Sequence, residues 1–205
     1  MKRVAFMFSG RGSLLSTVRQ AILDSKVTAE LSLVITNNAD FSATGNAAFD
    51  GVSIAKIDHR DFNDRSGFEK AITEKINNSG IDLIILGGFR RIFSPKFVKD
   101  FGSKTMNTHP SLLPAFPGDK AQLKALQGGL RITGATLHFI NEEVDAGPII
   151  DQEAVRILNG TTESELKELI IFAERKMIYR AVCAFLESRL SIHDNKVVYE
   201  GYSDV

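Results

Sequence analysis

The stretch Val4-Ala5-Phe6-Met7-Phe8-Ser9-Gly10-Arg11-Gly12-Ser13 joins a continuous apolar run to a turn of small residues. The run predicts a buried strand, and the apolar spacing of residues 13–25 predicts a helix behind the turn. Further apolar strands are predicted at residues 31–35, 52–57 and 81–86, with a helix over residues 62–78. Strands that do not alternate and that are separated by helices are typical of a parallel sheet covered on both faces. The prediction is a doubly wound α/β fold, whose ligands lie beyond the carboxyl ends of the strands.

The second half of the chain predicts shorter elements around a proline-rich loop at residues 109–118. A helix at residues 94–101 and a strand at residues 104–107 come before this loop. A helix at residues 121–127 and strands at residues 132–140 and 149–157 come after it. Thr162 and Glu165 have the spacing of a capping box and begin a long helix that is predicted to end near residue 187. With no linker and no repeat, we expect one domain over residues 1–205, with a mostly parallel sheet and helices on both faces.

Composition excludes several classes of function. Among 205 residues, 25 Lys and Arg balance 25 Asp and Glu, so no basic excess is present to hold a nucleic acid. The apolar runs are too short to cross a membrane, and the amino-terminal run is interrupted too early for a signal peptide. The single cysteine, Cys183, excludes an internal disulfide and a multi-cysteine metal site. We expect a cytoplasmic protein, monomer or homodimer, that acts on small molecules without a metal.

Three polar stretches carry candidate chemistry. The turn at residues 8–13 has backbone N–H groups and a helix N-terminus that suit a phosphate, although it also fits a plain tight turn. Asn107 and His109 follow a strand and pair an oxyanion donor with a proton-transfer group, although a lone histidine is usually structural. The acidic loop that contains Asp145 also fits a solvated turn. Its carboxylates gain interest only if the fold brings one beside His109.

Five segments occur together in the order and spacing of a known family. They are Phe8-Ser-Gly-Arg-Gly-Ser13, Gly88-Phe-Arg-Arg-Ile-Phe-Ser94, Asn107-Thr-His-Pro-Ser-Leu-Leu-Pro114, Thr133-Gly-Ala-Thr-Leu-His138 and Val144-Asp-Ala-Gly-Pro148. The chain resembles the folate-dependent formyltransferases over nearly its whole length. The resemblance implies transfer of a formyl group from 10-formyltetrahydrofolate, a co-substrate, to the amine of glycinamide ribonucleotide in purine biosynthesis.

The resemblance also implies a role for each matching residue. Asn107 stabilises the oxyanion of a tetrahedral intermediate, and His109 stabilises that intermediate or moves a proton. Asp145 tunes the histidine and relays protons through water. The pterin pocket is implied at Phe89, Arg90, Arg91, Ile92, Phe93, Ile140, Asn141, Glu142, Glu143 and Val144. The acceptor site is implied at Arg11, Gly12, Ser13, Leu14 and Glu174. Residues 1–100 then form a Rossmann-like acceptor and phosphate half, and residues 101–205 the catalytic and folate-loop half.

The acceptor half departs from the family pattern. Leu14 stands where the family usually has an asparagine that helps to hold the substrate phosphate, and we expect Arg11 to take over part of that contact. Residues 118–120 and 134–136 also resemble the formyltetrahydrofolate deformylases, which hydrolyse the same donor. Two alternatives therefore stay open: a related enzyme with another amine or water as acceptor, and a folate-binding protein without catalysis.

Overall fold

A seven-stranded sheet forms the centre of the computed structural model, which describes residues 1–201. Its strands lie in the order β3-β2-β1-β4-β5-β6-β7. The pairs from β3 to β5 are parallel, and the pairs β5–β6 and β6–β7 are antiparallel. The strand bounds are β1 Lys2–Phe8, β2 Ala29–Thr36, β3 Ile54–Lys56, β4 Leu83–Leu86, β5 Thr105–His109, β6 Ile132–Phe139 and β7 Ile149–Arg156. A separate hairpin pairs β8 Leu190–His193 with β9 Lys196–Tyr199.

Helices cover both faces of the sheet. Their bounds are α1 Leu15–Asp24, α2 Arg65–Ser79, α3 Pro95–Phe101, α4 Ala121–Gln127 and α5 Glu163–Leu186. Strand β1 is continuously apolar because both of its faces are buried. Phe6 and Phe8 pack into the core beneath α1, α4 and α5, whereas Ala5 and Met7 pack into the core beneath α2 and α3. Because β1 pairs with β2 on one side and β4 on the other, a crevice opens at the carboxyl ends of β1 and β4.

The doubly wound fold is confirmed, with differences at element boundaries. Helix α1 begins at Leu15 rather than residue 13, because Leu14 is the N-cap after a left-handed Gly12. Helix α2 begins at Arg65, where the Asp64 side chain accepts the Gly67 N–H. The third strand is confined to Ile54–Lys56, and the β8–β9 hairpin was not predicted. None of the helices within residues 1–201 is both long and apolar enough to span a membrane.

Candidate active site

A cavity of about 890 Å³ opens where the carboxyl ends of β1, β4 and β5 meet the loops that follow them. The structure places every residue predicted for the site on its wall. These are Arg11, Gly12, Ser13, Leu14, Phe89, Arg90, Arg91, Ile92, Phe93, Asn107, His109, Ile140, Asn141, Glu142, Glu143, Val144, Asp145 and Glu174. Five separate parts of the sequence therefore share one cavity, and the individual roles of these residues stay predictions.

Asp145 and His109 are in direct contact, as the acidic-loop hypothesis required. Asp145 Oδ2 lies 3.1 Å from His109 Nδ1, and both side chains are largely buried, at 11% and 6% exposure. The other ring nitrogen, Nε2, lies 2.8 Å from the carbonyl oxygen of Phe116. Both ring nitrogens of His109 thus face oxygen acceptors, an arrangement that suits the imidazolium, which donates at both positions.

The Asp145 carboxylate is held by a backbone N–H of the loop after β5 and by the shape of its own loop. Its Oδ2 atom also accepts the N–H of Gly118, at 2.8 Å. Asp145 itself has a left-handed backbone conformation, with φ of 54°, which Asp tolerates better than most residues. Asn141 closes the same loop, because its Nδ2 donates to the Ala146 carbonyl oxygen and its Oδ1 accepts the Glu143 N–H. The loop is therefore internally bonded rather than a loose solvated turn.

His138 belongs to the site, although the sequence analysis did not include it. It is 2% exposed, and its Nδ1 lies 2.9 Å from the Phe139 carbonyl oxygen. Burial is the main reason that the pKa of His138 is lowered. A neutral ring that donates through Nδ1 leaves Nε2 as an acceptor, and the Asn107 Nδ2 atom lies 3.2 Å from it. The contact fixes the Asn107 amide so that its second N–H stays available to the cavity.

Glu174 brings a second carboxyl group to the cavity from helix α5. Burial raises its pKa to about 7, and a hydrogen bond with Thr108 opposes that shift. Thr108 lies on β5 between Asn107 and His109, so Glu174 is tied to the strand that carries both predicted catalytic residues. A carboxyl group with this pKa is partly neutral near neutral pH, and both donates and accepts hydrogen bonds.

The turn before α1 presents backbone donors to the cavity. Gly12 has φ of 67°, and a Cβ there would lie 2.7 Å from the Phe49 ring, so the position requires glycine. Helix α1 begins without a side-chain cap and has no acidic residue in its first turn. The Leu15 N–H donates to the Gly12 carbonyl oxygen at 3.0 Å, whereas within residues 1–201 the Ser13 and Leu14 N–H groups before it stay available to an anion. Leu14 is only 4% exposed and packs into the core, so its side chain cannot replace a phosphate-binding amide.

The sequence pattern of the formyl transferase family matches residues 2–182. The chain belongs to this family.

Two curated relatives differ in their length. A phosphoribosylglycinamide formyltransferase from Haemophilus influenzae is 32% identical over 201 residues, which cover 98% of this chain and 95% of the relative. The human trifunctional purine biosynthetic protein adenosine-3 is 36% identical over 193 residues, covering 94% of this chain. The chain spans only 19% of that longer protein.

Two solved structures resemble the chain closely. Glycinamide ribonucleotide transformylase 1 from Symbiobacterium toebii has a TM-score of 0.90 and 34% identity, covering 97% of this chain and 94% of that one. A formyltetrahydrofolate deformylase from Pseudomonas syringae has a TM-score of 0.87 and 26% identity, covering 97% of this chain and 65% of that one. The fold is thus shared by proteins that are named for transfer and for hydrolysis.

Proposed function

We propose that the chain transfers the formyl group of 10-formyltetrahydrofolate to the amine of glycinamide ribonucleotide, a cytoplasmic step of purine biosynthesis. The observation that carries this proposal is the contact between Asp145 and His109, beside Asn107, on the wall of one cavity. Membership of the formyl transferase family and the near full-length match to a bacterial relative support the same reaction. The two substrates are small molecules that meet in this cavity.

The donor occupies the part of the cavity between residues 88–93 and residues 140–144. Both segments expose backbone groups, which suit the hydrogen-bonding edge of a flat pterin ring. Within the described part of the chain, the backbone N–H groups of Arg91, Ile92 and Phe93 have no hydrogen-bond partner. Phe89 and Phe93 are buried, so the loop presents its backbone to the cavity rather than these rings.

The acceptor occupies the part of the cavity beside the turn at residues 10–14. Arg11 is exposed there and brings a positive charge with two parallel donors for phosphate oxygens. The backbone N–H groups that follow Gly12 supply further donors. Glu174 lies on the same cavity wall and suits the ribose hydroxyl groups, because a partly neutral carboxyl exchanges hydrogen bonds in both directions.

In the transfer step the acceptor nitrogen attacks the formyl carbon, which becomes tetrahedral as its oxygen gains negative charge. The free N–H of the Asn107 amide donates to this oxyanion. The attacking amine loses a proton to water beside Asp145. The bond from the formyl carbon to N10 then breaks, and N10 takes up a proton as it leaves. The acceptor nitrogen has lost one proton and N10 has gained one, and the acceptor ends as a formamide.

The geometry of His109 favours one of its two expected roles. Both of its nitrogens already have acceptors, in Asp145 and in the Phe116 carbonyl group. A positively charged ring fixed in this way stabilises a nearby oxyanion without moving. A proton from His109 reaches N10 only after the contact to Phe116 opens. Electrostatic stabilisation is therefore the role that this geometry supports best, with proton transfer through water at Asp145.

Hydrolysis is the second candidate function. The similarity to a deformylase structure favours it, and so does the loss of a polar side chain at Leu14. The deciding experiment follows loss of 10-formyltetrahydrofolate with and without glycinamide ribonucleotide. If 10-formyltetrahydrofolate is consumed only when the acceptor is present, and an equal amount of formylated product forms, the result supports transfer. Equal loss without the acceptor supports hydrolysis, and binding without turnover in either assay leaves a folate-binding protein.

A further inference from the structure

The loop of residues 88–93, which forms the donor wall of the cavity, has no regular secondary structure. Among residues 1–201, the hydrogen bonds to its backbone lie at its beginning. Ser9 donates its N–H to the Gly88 carbonyl oxygen at 3.2 Å, and its hydroxyl oxygen accepts the Arg90 N–H at 2.8 Å. Beyond Arg90 the loop backbone is free for a ligand. Its shape must then be set by whatever holds its far end.

Glu69 on helix α2 holds that far end. Its Oε1 atom accepts the Ser94 N–H at 2.7 Å, and its Oε2 atom accepts the hydrogen of the Ser94 hydroxyl. The Arg65 Nε–H also donates to Oε1, at 2.8 Å, and neutralises the carboxylate. Glu69 is 7% exposed, so water competes poorly for these hydrogen bonds.

Ser94 passes this constraint on to helix α3. It is the N-cap of α3, and its Oγ accepts the Phe97 N–H at 3.3 Å. One hydroxyl group therefore joins the carboxylate of α2 to the first turn of α3, directly after the cavity loop. Hydrogen bonds to a charged group are stronger than those between neutral groups, so this junction is stiff.

A column of stacked rings lies under the same loop. Phe68 stacks on Phe89 at 6.5 Å, Phe89 on Phe93 at 5.6 Å, and Phe93 on Phe97 at 3.9 Å, with interplanar angles of 8°, 11° and 10°. Phe68 and Glu69 are neighbours on α2, so one turn of that helix contacts both the column and the end of the loop. The column fixes the depth of the loop, and Glu69 fixes where it ends.

We infer that Glu69 is a positioning residue that holds the donor wall of the cavity in its binding shape, without touching either substrate. The inference rests on the proposed function, because it assigns the donor to the 88–93 wall. Asn107 and His109 lie on β5 and are held by His138, Asp145 and the Phe116 carbonyl group. Loss of Glu69 should therefore weaken donor binding and leave the catalytic step unchanged.

The test compares Glu69→Leu, Glu69→Gln and the control Glu74→Ala, which changes an exposed carboxylate on the same helix. We expect Glu69→Leu to raise the donor KM and the Kd of a 10-deaza analogue of tetrahydrofolate about tenfold. The KM for glycinamide ribonucleotide and kcat should stay within about twofold of the wild type. Glu69→Gln keeps an acceptor for the Ser94 N–H, so it should recover part of the loss. The inference is overturned if Glu69→Leu binds the donor as the wild type does. It is also overturned if kcat falls and both KM values rise by the same factor.

Amide hydrogen exchange provides a readout that needs no ligand. Glu69→Leu should speed exchange of the Ser94 and Phe97 amides, whose N–H groups bond to Glu69 and to Ser94 Oγ, while Glu74→Ala should leave it as in the wild type. If Glu69→Leu also leaves this exchange unchanged, Glu69 does not hold the loop. If the wild type binds no folate analogue, the proposed function fails. The exchange experiment still decides whether Glu69 holds the end of the loop.

Discussion

Asp145 Oδ2 contacts two segments at once: it lies 3.1 Å from His109 Nδ1, and it accepts the Gly118 backbone N–H at 2.8 Å. One carboxylate oxygen thereby joins the end of β5, the loop after it and the loop between β6 and β7. The contact has two separable consequences. The negative charge acts on the histidine, and the hydrogen bond to Gly118 holds the loop.

Replacing Asp145 with Asn separates these consequences, because the amide oxygen can still accept from Gly118. We expect kcat to fall by ~10²-fold, since the imidazolium loses its anionic partner. The profile of kcat against pH should also differ from that of the wild type. The measurement is kcat from pH 5 to pH 9, with Glu168→Gln, an exposed carboxylate outside the cavity, as control. A profile of unchanged shape would mean that Asp145 only shapes its loop.

Substitution of Arg11 tests whether the turn at residues 10–14 binds the phosphate of the acceptor. We expect Arg11→Ala to raise the KM for glycinamide ribonucleotide about tenfold at low salt, because a charge-assisted contact to phosphate is lost. The effect should shrink at high salt, where screening already weakens that contact. Binding of a folate analogue should not change, and Arg175→Ala, on the exposed surface of α5, is the matched control. Phosphate and sulfate should inhibit competitively with the acceptor. Failure of both ions to inhibit would show that this turn is not a phosphate site.

The buried carboxyl of Glu174 predicts a pH-dependent stability. Its pKa is raised from 4.5 to about 7 in the folded protein, because burial disfavours the charged form. Below pH 4.5 the carboxyl group is protonated in both the folded and the unfolded state, so its burial does not lower the stability. Between pH 4.5 and pH 7 only the unfolded state releases the proton, so folding loses up to about 3 kcal/mol.

Glu174→Gln removes this titration while nearly preserving the shape of the side chain. We expect its free energy of unfolding, relative to the wild type, to rise between pH 4.5 and pH 7 and to level off above that. Urea denaturation at pH 4, 6 and 8 measures the difference, with Glu168→Gln as the exposed control. A difference that is the same at all three pH values would contradict the raised pKa.

The close packing at Gly147 leads us to expect that a single added methyl group lowers both stability and activity. A Cβ at this position would lie 1.8 Å from the Phe139 carbonyl oxygen, so Gly147→Ala must move the backbone of the loop that carries Asp145. We expect a loss of roughly 1–3 kcal/mol in stability and a fall in kcat.

Gly67→Ala is the matched control for that prediction. Gly67 lies in helix α2, and its nearest neighbour would be the Phe62 ring at 3.4 Å, an ordinary contact. It should stabilise the protein by about 0.5–1 kcal/mol, because alanine favours a helix. Thermal denaturation of both variants measures the difference, and equal effects would contradict the close packing at Gly147.

The order of strands and helices followed from the sequence because both faces of the parallel sheet are buried. Continuous apolar runs such as the one ending at Phe8 then appear directly in the sequence. The β8–β9 hairpin was missed because its strands are short and only partly buried.

Part of the candidate site also followed from the sequence. Asn107 and His109 come at the end of a predicted strand, where ligands of this fold bind. The contact of His109 with Asp145 depends on how the loop after β6 returns to the sheet, and local spacing does not contain that information. His138 lies in an apolar, buried strand, so the local pattern alone does not distinguish it from a packed core residue. Its function in holding Asn107 follows from the antiparallel register that pairs these two residues.

Replacing His109 tests most directly whether the polar cluster of Asn107, His109 and Asp145 performs the chemistry while the cavity walls bind the substrates. The measurement combines the single-turnover rate of formyl transfer with the Kd of a 10-deaza folate analogue, for the wild type and His109→Ala. We expect the rate to fall by ~10²-fold or more while the Kd stays within about twofold, because the lost interaction belongs to the transition state. Asn107→Ala should behave in the same way. A near-normal rate in His109→Ala, or a fall in rate that is fully explained by weaker binding, would contradict this division of roles.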